Sequence, residues 1–142
     1  MGQTYQSIVI NASADTVWNA IKNFHDLSWA PNVIEKVEVV GDVGGGDVGA
    51  KRILNDAFHE TLQGVDEAGK TFNYCIDDGP PPLAAASNLG YVGVVKVSPV
   101  TEGEGCFVEW SSSWDTDDNV VNDFVHPIYV ALLGDLKNSL GS

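Results

Sequence analysis

Positive charge is scarce in this sequence. Seven Lys and Arg stand against 20 Asp and Glu, a formal net charge of −13, and Arg52 is the sole arginine. Such a surplus repels phosphate backbones and anionic lipid, so nucleic-acid and membrane-surface partners are excluded. Long apolar runs are missing as well; none approaches the ~20 residues that cross a bilayer. Two cysteines, Cys75 and Cys106, are too few for a disulfide framework. The start, Met1-Gly2-Gln3-Thr4, has neither the basic nor the apolar stretch of a secretory leader, which makes a cytoplasmic location the expectation.

Signatures of metal and phosphate chemistry are also lacking. His25, His59 and His126 show no ligand spacing, so no metal is expected. The Gly44-Gly45-Gly46 run lacks the Gly-Lys-Ser/Thr ending of a phosphate loop and leads into a strand pattern. Asp115, Asp117 and Asp118 read as a solvated turn, since a calcium loop needs more regular acidic spacing. No organic cofactor is expected either.

What remains is an apolar-rich chain. Hydrophobic residues make up 44% of 142, enough for one domain that buries roughly two-thirds of its unfolded surface. Strand patterns run over 5–10, 33–40, 50–55, 58–65, 71–77, 88–98 and 105–115. Ser13 reads as a helix N-cap, with Asp15 in the first turn and Ala14, Val17, Trp18, Ile21 and Phe24 at helical spacing. His25 to Asn32 reads as a second short helix or a turn. Gly41 to Gly49 and 79–87 are loops. A final helix over about 122–139 carries Phe124, Ile128, Leu132 and Leu136 every four residues, joined by Val125, Tyr129 and Leu133. Pro127 belongs in its first turn or kinks it. Two short helices, seven antiparallel strands and one long helix give an α+β fold.

Strand alternation carries the chemical signal. On 58–64 the even face is Phe58, Glu60, Leu62 and Gly64. On 50–54 it is Ala50, Arg52 and Leu54. A three-residue turn, Asn55-Asp56-Ala57, pairs Leu54 with Phe58 and Arg52 with Glu60, so the apolar faces coincide. The only arginine then faces the only carboxylate of the inner face, with Cβ atoms ~5 Å apart. Desolvating two ions costs several kcal/mol each. Such a pair is either a structural salt bridge or a tuned acid/base centre in which Arg52 holds developing charge.

Tyr74 lies on the same face one strand over. Tyr91 on 88–98, and Trp110 and Ser112 on 105–115, also point inward. Phe24 and Trp29, then Leu54, Phe58, Leu62 and Ile76, then Phe124, Ile128 and Leu132 complete the expected lining. Taken singly, each aromatic reads as plain core. Together with glycine and a charge pair they read as a pocket. Entry is expected between the 41–49 loop, the 79–87 loop and the final helix.

The order of several short words resembles a known superfamily. They are Val17-Trp18, Phe24, Leu27, Trp29 and Pro31, then Gly49-Ala50-Lys51-Arg52, Glu60-Thr61-Leu62, Tyr74, Tyr91 and Trp110. The chain is similar to the helix-grip proteins (SRPBCC; START-like and birch-allergen-like). Within these it resembles the polyketide cyclase/dehydrase branch, which includes lachrymatory factor synthase-like proteins. The resemblance implies a curved seven-stranded sheet wrapped around a long C-terminal helix, enclosing an apolar cavity. It implies proton transfer by an Arg and a Glu at the positions of Arg52 and Glu60; Tyr74, on the same inner face, is expected to hold developing charge together with Arg52. The expected activity is acid/base cyclisation, isomerisation or lyase-type rearrangement of a small hydrophobic molecule. The alternative is binding or transport of such a ligand without chemistry. A monomer or a homodimer is expected. The Asn55–His59 stretch and the Pro80-Pro81-Pro82 loop depart from the plant pattern.

Overall fold

The first helix forms where its cap predicts. Ser13 holds an extended backbone and its Oγ accepts the Thr16 N–H at 3.1 Å, satisfying one of the free donors of the first turn. The helix that follows, α1 (Ala14–Ile21), buries Ala14, Val17, Trp18 and Ile21. The computed structural model describes residues 1–117 and 119–141, so Asp118 of the acidic turn lies outside them.

No second short helix follows α1. Residues 22–36 form successive turns. Side chains compete with the backbone ladder there: Asn23 Oδ1 accepts the His25 N–H and Asp26 Oδ1 accepts the Ser28 N–H, each at 2.9 Å. Such local bonds favour turns over helix. Pro31 removes a further donor.

Seven strands make one antiparallel sheet: β1 (Gly2–Ile10), β2 (Val37–Val40), β3 (Lys51–Leu54), β4 (Phe58–Asp66), β5 (Thr71–Asp78), β6 (Val92–Pro99) and β7 (Cys106–Trp114). Their spatial order is β1-β7-β6-β5-β4-β3-β2. The chain therefore meanders from β2 to β7, and β1 pairs with the last strand. Two strands are shorter than their apolar patterns. Residues 33–36 lie in the turns before β2, and a 3₁₀ turn (Ala86–Leu89) precedes β6. Cys75 and Cys106 are both free, on strands separated by β6.

The pairing of β3 with β4 places Arg52 opposite Glu60 and Leu54 opposite Phe58, the register expected from the coincidence of the apolar faces. The β4–β5 ladder then shifts between Leu62 and Gly64. This bulge exchanges the faces, so Val65 packs on the core rather than Gly64.

The closing helix, α2 (Val120–Leu140), has 21 residues with Pro127 inside it. It starts earlier than its apolar repeat. Its buried residues are Val121, Val125, Tyr129, Leu132, Leu133, Asp135 and Leu136, whereas Phe124 and Ile128 are only half-buried. The inner face is thus rotated toward Val125 and Tyr129. Each large apolar side chain so buried contributes about 1.5–3 kcal/mol. The core between helix and sheet takes the inward faces of β5, β6 and β7, including Phe72, Ile76, Val95, Val97, Val108 and Trp114. This curved sheet closed by a long C-terminal helix is the helix-grip fold.

Candidate active site

The β3–β4 turn sets up the site. Asn55 and Asp56 both have positive φ, 54° and 56°, a conformation these two residue types tolerate better than most. Both polar atoms of the Asn55 side chain are then engaged. Its Oδ1 accepts the Glu35 and Lys36 N–H groups at 2.8 and 3.1 Å, and its Nδ2 donates to the Val33 carbonyl at 2.9 Å. The turn thereby ties down the 33–36 segment beside the charge pair.

Arg52 and Glu60 are 4% and 6% exposed. Arg52 Nε donates to Glu60 Oε1 at 2.8 Å, and Nη2 lies 2.7 Å from the same oxygen. Nη1 donates to the Phe24 carbonyl at 2.9 Å, and the Phe24 ring centroid is 3.7 Å from the guanidinium carbon. Among the described residues, no hydrogen bond reaches Glu60 Oε2. Burial pushes the Glu60 carboxyl above its ordinary range; Arg52 pulls it back only in part, and Asp77 adds to the rise.

Glu60 and Arg52 open on a cavity of about 200 Å³. The sheet contributes Leu54, Phe58, Ile76 and Trp110 to its wall. Helix α2 contributes Val125, Ile128, Tyr129 and Leu132. Leu27, Val33 and Ile34 close it from the turns after α1, with Asn55 at the edge. None of its lining comes from the 41–49 or 79–87 loops, so the expected entry between those loops is not where the cavity lies.

Tyr74 stands behind this wall. Trp110 Nε1 donates to its hydroxyl at 2.9 Å, and that hydroxyl bonds Tyr129 Oη at 3.0 Å. Tyr129 is also hydrogen-bonded to Tyr91, which donates to Ser112 Oγ at 2.9 Å. The Trp110 and Tyr129 rings stack at 4.9 Å. Burial, first of all, raises the three phenols well above their ordinary range. They act as neutral hydroxyls in a chain of mutually satisfied bonds.

The residues expected from the sequence divide into two groups. Arg52, Glu60, Leu54, Phe58, Ile76, Trp110, Ile128 and Leu132 lie on the cavity wall. The others do not. Tyr74, Tyr91 and Ser112 belong to the hydroxyl chain behind it, and Phe24 covers the guanidinium. Leu62 is buried in the core. Trp29 donates to the Asp26 carbonyl at 3.1 Å and sits 6.4 Å from the Trp110 ring, while Phe124 stacks on Phe58 at 6.3 Å. Sequence reasoning missed Leu27, Val33, Ile34, Asn55, Val125 and Tyr129 as lining. Val125 and Tyr129, four residues apart within the apolar stripe, carried a signal; the turn residues had no periodicity to read. Among the described residues, no three His, Cys, Asp or Glu side chains gather closely enough to hold a metal ion. No helix of the described chain is long and apolar enough to cross a membrane.

Residues 1–141 match the family described as polyketide cyclase / dehydrase and lipid transport. A solved protein from Nitrosospira multiformis is 39% identical, with a TM-score of 0.93, covering 99% of this chain and 97% of its own. The protein XoxI from Bacillus cereus is 26% identical, with a TM-score of 0.77, covering 99% of this chain and 96% of its own. Norcoclaurine synthase from Thalictrum flavum, solved in complex with dopamine and hydroxybenzaldehyde, shares the fold at 20% identity. Its TM-score is 0.69, covering 96% of this chain and 84% of its own. No curated protein matches the chain.

Proposed function

Because the chain belongs to the polyketide cyclase / dehydrase and lipid transport family, we propose that it is an enzyme that moves a proton on a small, mostly apolar molecule held in the cavity. One observation carries this reading. A buried carboxylate has one oxygen fixed by the sole arginine, while its other oxygen takes no hydrogen bond from any described residue, beside an apolar cavity of about 200 Å³. A base held in that way keeps its geometry, and its raised pKa brings it closer to neutrality, where proton transfer is most efficient.

Glu60 Oε2 takes a proton from a C–H or O–H acid of the bound molecule and returns it to a different atom. The electron pair left behind forms the new π-bond or ring bond, so no oxidant is needed. Arg52 keeps Oε1 in place and stabilises the carboxylate as it reforms. Tyr74 acts as a positioning residue, holding Tyr129 and Trp110 at the wall. Cyclisation, isomerisation and lyase-type rearrangement share this first step.

The test begins with native mass spectrometry of the purified protein, to extract and identify a co-purifying molecule. That molecule is then incubated with the wild type, Glu60→Gln and Arg52→Leu, each checked for its fold. Turnover by the wild type, lost in Glu60→Gln with binding retained, supports the reading. Turnover surviving in both folded variants would sink it. The second reading is binding or transport without chemistry. It is favoured by the hydroxyl chain, whose members satisfy one another. Recovery of the molecule unchanged, bound by all three proteins, selects it.

A further inference from the structure

The polar capacity of the cavity wall says more about what fits there, given the proposed reading that the cavity is the working site. Asn55 is occupied on both side-chain atoms by the 33–36 backbone. Trp110 Nε1 is occupied by Tyr74, and Tyr129 Oη is bonded to two hydroxyls. Glu60 Oε1 is occupied by Arg52. The wall therefore keeps one strong free acceptor, Glu60 Oε2; beyond it lie the remaining N–H groups of Arg52 and Asn55, and the other lining side chains are apolar or satisfied. From this we infer that the cavity takes a neutral molecule of single-ring size bearing one hydroxyl group, which donates to Glu60 Oε2.

Size and charge both narrow the class. A cavity of about 150 Å³ lined by aliphatic and aromatic side chains takes up benzene, so about 200 Å³ holds one ring with a small substituent. Two fused rings fit it less closely than one. A carboxylate ligand would meet Glu60 as a like charge in a largely apolar cavity. Arg52 compensates only in part, because Glu60 already neutralises it and Phe24 covers one of its faces. The net charge of −13 repels anions on approach as well. A ligand with no donor leaves the buried carboxylate oxygen unpaired, which is heavily penalised.

The experiment is a binding titration of the full chain, followed by two-dimensional NMR at pH 8, where phenol is neutral. The probes are phenol, its near-isostere toluene, benzoate and 1-naphthol. Phenol is expected to bind about tenfold or more tightly than toluene, as a hydrogen bond to a charged group provides. Benzoate and 1-naphthol are expected to bind more weakly than phenol. In Glu60→Gln the advantage of phenol over toluene shrinks, since the acceptor is no longer charged. Toluene binding as well as phenol, or benzoate or 1-naphthol binding more tightly than phenol, overturns this ligand class while leaving the cavity as a site. If none of the four binds at millimolar concentration, the ligand class and the proposed function fail together.

Discussion

Gly93 on β6 lies directly opposite Tyr74 on β5, and a Cβ at position 93 would overlap the Tyr74 ring. Glycine there leaves room for a buried phenol that holds Tyr129 and Trp110 in place. The backbone at 93 is not left-handed, so the penalty of a side chain is steric. Gly93→Ala is expected to destabilise the protein by about 1–3 kcal/mol, as overpacking does. Thermal unfolding followed by circular dichroism measures it. An unchanged melting temperature would show that the ring can move aside.

The buried pair should respond unequally to the loss of either partner. Glu60→Leu leaves a guanidinium that cannot lose its proton, at an expected cost of about 3–5 kcal/mol. Arg52→Met leaves a carboxyl that can take up a proton, so it costs less. The double variant Arg52→Met/Glu60→Leu is expected to lie within about 1 kcal/mol of wild type, or to be more stable. Urea unfolding of the four proteins at pH 7 tests this. A double variant as unstable as Glu60→Leu would mark the pair as a stabilising element in its own right.

Glu60 also sets a direction for pH dependence. Its carboxyl is raised in the folded state. A raised acid contributes stability that is full below its unfolded value, about 4.3 for Glu, and is lost as pH rises through the higher folded value. Glu60→Gln cannot ionise and lacks this loss. The stability of the wild type relative to Glu60→Gln should therefore fall as pH rises from about 4 towards neutrality. Denaturant midpoints of the two proteins across that range give the answer. A difference that grows in favour of the wild type would mean Arg52 outweighs burial.

Asp135 on α2 is buried, and its two oxygens accept the Asn32 backbone N–H at 2.8 Å and the Asn32 side-chain amide at 2.9 Å. Ser139 on the same helix donates to the Trp29 carbonyl at 2.8 Å. These bonds hold the turns that supply Leu27, Val33 and Ile34 to the cavity. Asp135→Ala is expected to cost about 1.5–3 kcal/mol, the range for hydrogen bonds to a charged group. It should also speed hydrogen exchange at the Asn32 amide. Unchanged exchange there would mean that the turns stand without α2.

Part of this was legible in the residues. The Arg52–Glu60 register followed from a period of two on both strands and a turn that only one loop length makes compatible with two coincident apolar faces. The inward faces of β6 and β7 were legible for the same reason. The turns after α1 were not, because Asn23 and Asp26 bond locally and leave no repeat. The switch from Gly64 to Val65 depended on a bulge, which inserts one residue and reverses the alternation beyond it. Leu27, Val33 and Ile34 reach the cavity through the path of an irregular segment, which no spacing encodes.

The sequence by itself determined the succession of seven strands and a closing helix, the α+β class, the pairing of its only arginine with Glu60 and the family resemblance. These rest on local periodicity and short-range turn geometry, which neighbouring residues set. Only the tertiary structure decided which buried side chains face a void and which fill a core. Phe24, Leu62 and Tyr74 pack behind the wall, while Tyr129 and Ile34 stand on it. That division depends on the rotation of α2 over the sheet and on where the turns after α1 come to rest. Both are settled by contacts between segments up to about a hundred residues apart, such as Asp135 with Asn32.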